Sequence, residues 1–302
     1  MSKDSPLISI ITLNWNTPEV TCEFLESAKN LTYTNYEILV CDMASTIDPT
    51  SLINSKGYPK TKVLRSDKNL GFAAGNNFGI RQSRGDYVFI VNNDTELTPD
   101  LLDVLIAPFE KDPSIGVVCP KIRYFHDKET IQYAGYNPMN LYTGRTSSVG
   151  SKEKDRGQYD TSGYTHGAHG CAMMVKREVI EKTGMFPESF FLYYEEWDWS
   201  ARILRGGYKI YYEAKGLIYH KESVTVGKQS PLKMYYHTRN RILYMRRNTK
   251  PGQFLAFILF FIIFTGPKTT IRLIAGRQFT HLKSFLRGAF WNVYGSKQSL
   301  IF

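Results

Sequence analysis

Three carboxylates, Glu195, Glu196 and Asp198, fall within four positions of one aromatic stretch, residues 190–203, FFLYYEEWDWSARI. An amphipathic helix keeps its acids on a wet face and its aromatics on a dry one, and here the two alternate too tightly for that. Acids among aromatics are costly to desolvate, so they sit at a cleft edge or pair with a cation. Asp94 directly follows an apolar strand pattern. It is the type of oxygen ligand that a hard divalent cation takes, and such ions commonly keep phosphate oxygens in their shell. His220 closes another strand pattern and would add a nitrogen ligand, which manganese tolerates better than magnesium. A lone histidine is, however, more often a structural hydrogen-bond partner.

The elements that must position these groups alternate between strand and helix patterns. Leu7–Leu13 (LISIITL), Glu37–Asp42 (EILVCD), Lys62–Arg65, Asp86–Val91 (DYVFIV) and Ile115–Cys119 read as strands. Between them lie a helix with Val20, Phe24, Leu25 and Ala28 on one face, a Gly-rich loop and helix (NLGFAAGNNFGI), and a helix with Thr98 as N-cap and Pro99 in its first turn. This rhythm predicts an α/β fold, a mostly parallel sheet flanked by helices. Residues 123–166 lose the rhythm and read as a long loop or small hairpins. A strand resumes at Cys171–Val175. A short helix over 177–184 ends at Gly184, the helix of the acidic stretch stops at Gly206 and Gly207, and YKIYYEAKGLIYH is a strand pair or one bent strand. In open α/β sheets ligands bind at the carboxyl ends of strands. Thr12 and Asn14, Asp42, Asn92-Asn93-Asp94 and His220 all fall at such ends. Each alone is more simply turn punctuation; their joint placement is what points to a site.

The 302 residues suffice for one large domain or two modest ones. Net charge is +10, and residues 227–302 carry 13 Lys and Arg but no Asp or Glu, so the whole positive excess lies there. Such a block suits an anionic partner. It contains a basic, aromatic helix over 231–248 and an unbroken apolar run of 11, FLAFILFFIIF at 254–264. That run is short against the roughly 20 residues of a bilayer span, and its basic flanks suit a helix lying in the interface of an anionic membrane surface. The alternative is a buried core helix. The apolar interruption argues against nucleic acid as partner. The four cysteines are scattered, without a C-x-x-C pair, and fit a reducing compartment. The N-terminus MSKDSPLISI does not read as a signal peptide. G-x-G-x-x-G, G-x-x-x-x-G-K-[ST] and G-x-S-x-G patterns are missing.

ISIITLNWN, EILVCDMAST, NLGFAAGNNFGI, DYVFIVNNDTEL and FFLYYEEWDWSARI resemble, in that order, the motifs of inverting family 2 glycosyltransferases with a GT-A fold. The similarity is to the rhamnosyltransferase-like branch that builds bacterial surface polysaccharides, and it covers about residues 6–250. The resemblance implies roles by position. Thr12 and Asn14 would contact the nucleotide, and Asp42 would hold the base or ribose. Asn69, Gly71 and Asn76 would form the donor-side loop and helix. NND stands where the family carries D-x-D, so Asn92 and Asn93 would face the nucleotide-sugar and Asp94 would be the metal ligand, with His220 completing the shell of a divalent Mn or Mg ion. Glu196 matches the general base, usually Asp in the family. Asp198 is its rival, although Arg202 stands at helical ion-pair spacing from it. Glu195 would line the acceptor pocket or cap the helix, and Trp197 would offer an acceptor-side ring face, beside Tyr193, Tyr194 and Trp199.

The expectation is a GT-A catalytic domain over residues 1–226 and a membrane-associating helical region over 227–302. The function expected is transfer of a sugar from a nucleotide-sugar donor, dTDP-rhamnose before a UDP-hexose, to a lipid-linked saccharide acceptor. The place expected is the cytoplasmic face of a bacterial plasma membrane, peripheral or monotopic. The alternatives are a sugar nucleotidyltransferase, which would want a G-x-G-T-R-like loop after the first strand, and a non-catalytic scaffold that binds a sugar nucleotide.

Overall fold

The computed structural model describes residues 5–221 and 230–295. The chain runs β1 (Ile8–Asn14), α1 (Pro18–Ala28), β2 (Tyr36–Asp42), α2 (Thr50–Ser55), β3 (Thr61–Arg65), α3 (Gly71–Gln82), β4 (Tyr87–Val91), β5 (Thr95–Leu97), α4 (Leu101–Lys111), β6 (Ile115–Tyr124), β7 (Asp127–Tyr133), β8 (Gly163–Thr165), β9 (Ala172–Lys176), α5 (Arg177–Thr183), a 3₁₀ turn (Glu188–Phe190), α6 (Glu195–Arg205), β10 (Lys209–His220) and α7 (Pro231–Asn248). It continues through α8 (Pro251–Phe260), a π turn (Phe261–Thr265), α9 (Gly266–Ala275) and α10 (Phe279–Tyr294).

The strands form one sheet in the order β3-β2-β1-β4-β9-β6-β10-β5, with β7 added to β6 and β8 to β10. The first four strands are parallel, as the alternating pattern requires. The other half is mixed: β9 runs antiparallel between β4 and β6. The sheet is thus less uniformly parallel than the rhythm of the first half suggests, because β9 enters only after the long 134–162 excursion. Parallel register sets Asn14 beside Asp42 and Asp42 beside Arg65, a polar row along one edge. The short β5 pairs antiparallel with the end of β10, Thr95 opposite His220, which folds the 92–94 loop back onto that histidine. β10 is a single strand with a register break between Glu213 and Leu217, which resolves the choice between a pair and one bent strand.

Three local expectations change. The β6 strand runs on to Tyr124 because β7 and the far half of β10 pair with its extension. Thr98 does not cap α4: the helix begins at Leu101, and the Thr98 hydroxyl donates to the Leu217 carbonyl at 2.9 Å instead. The apolar run 254–264 is part of a continuous 25-residue helix, Pro251–Ala275, long and apolar enough by length and composition to cross a membrane. Its length therefore no longer argues against insertion. It is not a core helix either. Leu255, Leu259, Ile262, Ile263 and Phe264 are exposed, and Phe257, Phe261 and Leu273 turn inward.

Two apolar cores result. The larger packs both faces of the sheet against the helices. The smaller gathers Phe190 and Trp197 from the acidic stretch with Ile242 to Met245 of α7 and Phe257, Phe261, Leu273 and Phe285 of α8–α10. The expected domain boundary at 226 lies outside the described residues, but α7, beyond it, is bonded to the segment that carries the acids.

Candidate active site

The turn before α6 is held in an unusual backbone shape. Phe191, Tyr193 and Tyr194 have φ of +63°, +69° and +71°, a left-handed conformation that costs a non-glycine residue about 1–3 kcal/mol each. Fixed partners over-determine it. The buried Asn240 amide of α7 points its Nδ2 at three carbonyl oxygens, of Phe190, Leu192 and Tyr193, at 2.8–2.9 Å. Arg239 donates to the Ser189 carbonyl at 2.5 Å. The Phe191 carbonyl in turn accepts from the Phe72 amide at 2.7 Å, in the first turn of α3. Gly71, at φ +72°, sits against the Phe191 ring so closely that a Cβ there would fall 2.5 Å from it. The donor-loop motif and the acidic motif are therefore one bonded unit.

That turn launches α6 with Glu195 and Glu196 in its first turn. The Oε2 atoms of both are buried and have no hydrogen-bond partner among the described residues. Burial pushes Glu196 up to about 7, against backbone N–H groups that pull it down. Burial, then the neighbouring Glu196, raises Glu195 well above the usual carboxylate range. Near neutral pH the pair holds on to a proton. Asp198, the alternative base in the sequence reading, is instead surrounded by donors. It accepts from Arg202 at 3.2 Å, from Arg247 Nε at 2.8 Å and from Asn248 at 2.8 Å, contacts that tie α6 to α7.

Asp94 Oδ1 and His220 Nε2 face each other at 3.1 Å. Both are buried, and neither has a partner in hydrogen-bond geometry among the described residues. His220 Nδ1 is 2.8 Å from the Gln132 amide oxygen. When Nδ1 donates there, the Nε2 lone pair is left for a ligand, the arrangement typical of metal-bound imidazole. Burial opposes a charge on His220, but Cys171 and Asp94 outweigh it and hold its pKa well above the usual range, so without an ion the ring faces Asp94 as its protonated partner, and a metal would have to displace that Nε2 proton to use the lone pair. Among the described residues no cluster of three His, Cys, Asp or Glu forms. The pair therefore fits an ion that completes its shell with phosphate oxygens and water.

The segment His169–Cys171 touches the surroundings of both centres. A Cβ on Gly170 would lie 3.8 Å from Glu196 Cβ, and the Cys171 carbonyl accepts from Asn92 N at 2.9 Å, next to Asp94. His169 is pushed down to about 3 by burial, then by His220, so it is neutral, and it stacks on Tyr136. Neither ring stood out in the sequence; both lie in or beside the loop that broke the alternating rhythm.

Several expected donor contacts are turned inward. Asp42 is fully buried and accepts from Asn14 at 2.7 Å, from the Ser45 backbone at 3.1 Å and from Arg65 at 2.7 Å. Asn14 also accepts from Thr21. Asn76 donates to its own helix at the Phe72 carbonyl, and Asn93 donates to Thr17 and Thr21, pinning β4 to α1. Asn69 is exposed and caps the Gly71 amide. Thr12 is buried with an unpartnered hydroxyl, and Asn92 is half-buried at the end of β4. Trp197 is not an open platform: it is buried against Tyr136, and a Cβ on Gly167 would fall 2.6 Å from its ring. Trp199 is core, donating to the Gly184 carbonyl.

The model of glycosyl transferase family 2 matches residues 9–184. The chain belongs to glycosyltransferase family 2. It is 27 % identical over 266 residues to the uncharacterized protein y4gI of Sinorhizobium fredii, covering 83 % of this chain but only 28 % of that protein. It is 23 % identical over 247 residues to the N-acetylglucosaminyl-diphospho-decaprenol L-rhamnosyltransferase of Mycobacterium tuberculosis, covering 74 % of this chain and 78 % of that one. Its fold is similar to that of a mannosyltransferase from Pyrobaculum calidifontis solved with GDP-Man and Mn2+, with a TM-score of 0.63, 15 % identity, and coverage of 98 % of this chain and 89 % of that one. The fold is GT-A.

The two kinds of acid should separate on mutation. Asp198→Ala leaves Arg202 and Arg247 without their buried partner and should cost about 3 kcal/mol of stability. Glu196→Gln should leave stability unchanged or raise it above the ordinary carboxylate pKa, since the folded state resists ionisation there. Urea unfolding midpoints check both; equal losses would show that Glu196 is also a structural anchor.

Proposed function

We propose that this family 2 member is a metal-dependent inverting glycosyltransferase. It moves a sugar from a nucleotide-diphosphate donor to a lipid-linked saccharide in bacterial surface polysaccharide synthesis. The observation that carries this reading is the pair of unsatisfied centres: Glu196 Oε2 beside Gly170, and Asp94 Oδ1 with His220 Nε2 beside Cys171. An unsatisfied buried polar atom is costly, and a site built for substrate and ion accounts for three of them at once.

In this mechanism Glu196 accepts the proton of the acceptor hydroxyl as that oxygen attacks the anomeric carbon. Attack opposite the leaving group inverts the centre. Glu195, kept protonated by its burial and by Glu196, does not compete for that proton. A divalent cation held by Asp94 and His220 would offset the charge of the departing nucleoside diphosphate. Asn14, Asp42, Ser45 and Arg65 form a rigid polar floor at the ends of β1–β3, and Thr12 Oγ1 is left available to the nucleotide. The mycobacterial relative's name, which specifies rhamnose and a diphospho-lipid acceptor, favours dTDP-rhamnose over a UDP-hexose.

A thermal-shift panel of nucleoside diphosphates and nucleotide-sugars, with and without Mn2+, tests the donor side. The expected result is stabilisation that needs both nucleotide and metal, with dTDP foremost, and that disappears in Asp94→Ala and His220→Ala. Unchanged shifts in both variants would move the metal elsewhere. The pH profile tests the base. With Glu196 titrating at about 7, kcat/KM should rise as pH passes through that value and level off above it. Glu196→Gln should lose about 10²–10⁴-fold in rate, and a rate that stays high and flat with pH in this variant would remove Glu196 as the base.

We also propose contact with the cytoplasmic face of the membrane. The exposed apolar residues of α8 and α9 stand in a region without any acid, which suits burial in an anionic interface. Sedimentation with phosphatidylglycerol vesicles should fall sharply in Leu259→Glu/Ile263→Glu. Undiminished sedimentation would mean that another surface binds.

A further inference from the structure

A cavity of about 510 Å³ opens between α7 and the α9–α10 elbow. Its lining includes Lys233 and His237 of α7, Arg272 of α9 and His281 of α10, and it holds no Asp or Glu. The elements that build it are likewise acid-free, since residues 227–302 carry neither residue. An open cleft whose charged lining is of one sign attracts anions.

Its position is as informative as its charge. The back wall, His237, stacks on Tyr193 with ring centroids 4.3 Å apart, and Lys233 lies 5.6 Å over the same ring. Tyr193 stands three residues before Glu196 in the turn that α7 clasps. Next in sequence to its lining residues Arg272 and Gln278, the elbow exposes apolar side chains: Ile271 and Ile274 on α9, and Phe279 at the start of α10. A basic cavity thus lies between the acceptor side of the acids and the surface that would meet lipid. His237 is pushed down to about 4 by burial, then by Lys233, so it enters as a neutral hydrogen-bonding ring. The cationic contacts come from Lys233 and Arg272, and Arg matches phosphate oxygens bidentately.

We propose that this cavity is the diphosphate subsite for the lipid-linked acceptor, holding its phosphates with Lys233 and Arg272. The hydrocarbon chain leaves over Ile271, Ile274 and Phe279, and the sugar points past Tyr193 toward Glu196. This rests on the lipid-linked acceptor reading given above and adds where the acceptor's charged group docks. It also supplies an orienting role: anchoring the phosphate fixes how far the reactive hydroxyl reaches, a positional gain separate from the chemistry.

The test uses the full chain in neutral detergent with EDTA, so that the Asp94–His220 centre takes no metal-bound diphosphate. Farnesyl diphosphate is titrated against the intrinsic fluorescence, with farnesol and phosphatidylglycerol vesicles as parallel probes. The expected result is saturable binding of farnesyl diphosphate and much weaker binding of farnesol. In Lys233→Ala/Arg272→Ala the farnesyl diphosphate Kd should rise about tenfold or more, the size expected for lost charge-assisted contacts, and Lys233→Arg should bind nearly as the unaltered chain does. Three results would overturn the proposal: an unchanged Kd in the double variant, equal binding of farnesol, or a loss confined to phosphatidylglycerol vesicles, which would mark the cavity as a general lipid contact. Stabilisation by a nucleoside diphosphate with Mn2+ is measured on the same variants and should not change. Its failure in the unaltered chain would count against the transferase reading, whereas the farnesyl diphosphate titration answers for the cavity.

Discussion

The site depends on one side-chain amide. Asn240 Nδ2 reaches three carbonyl oxygens of a turn in which three aromatic residues occupy left-handed backbone space. Without a fixed donor that backbone would relax, since each such residue stores strain. With it, the Phe191 carbonyl is aimed at the first turn of α3, and α6 begins with its two glutamates facing inward. Helix α7 grips the same helix a second time through Arg247 and Asn248 on Asp198. Two clasps about 50 residues away in sequence therefore set the position of the first turn of α6.

Donors, more than location, sort the carboxylates into working and structural ones. Asp42, Asp198, Glu195, Glu196 and Asp94 are all acids near the carboxyl edge of the sheet or the start of α6. Asp42 and Asp198 are surrounded by donors, and their charge is spent on holding strands and helices together. Among the described residues, Glu195 and Glu196 each keep a buried oxygen without a hydrogen-bond partner, and Asp94 Oδ1 is faced only by His220 Nε2. Natural interiors rarely tolerate that, and this uneven supply of donors is what the proposed site rests on.

Much of this was legible from residue types alone. The strands of the parallel half, their polar ends and the acids of α6 follow local patterns, whereas the pairing of Asp94 with His220 was implied by the family resemblance. Hidden were the features fixed by partners far along the chain. The sequence of α7 reads as a basic surface helix, yet Arg239, Asn240 and Arg241 are buried because the acidic turn and the 134–149 loop pack over them. Trp197 looks like a sugar platform until Tyr136 and Gly167 close over it. Asn76 and Asn93 look like ligand contacts until Phe72, Thr17 and Thr21 claim their amides. Thr98 looks like a cap, but β10 offers its hydroxyl a carbonyl. The 11-residue apolar run looks too short because its flanks are polar, and polar flanks do not end a helix.

The shared second core also bears on the order in which the molecule is made. Phe190 and Trp197 pack on Leu243, Phe257 and Phe285, residues that leave the ribosome long after the acidic turn has emerged. The sheet's first half can pair as it is synthesised, but the turn has no anchor until α7 follows, and that small core is not closed until α10 arrives. The turn that carries the acids is thereby fixed only after the helices that follow it in the chain. Its anchors arrive with the apolar helices, so the acidic turn and the exposed apolar surface of α8–α9 are completed by the same stretch of chain.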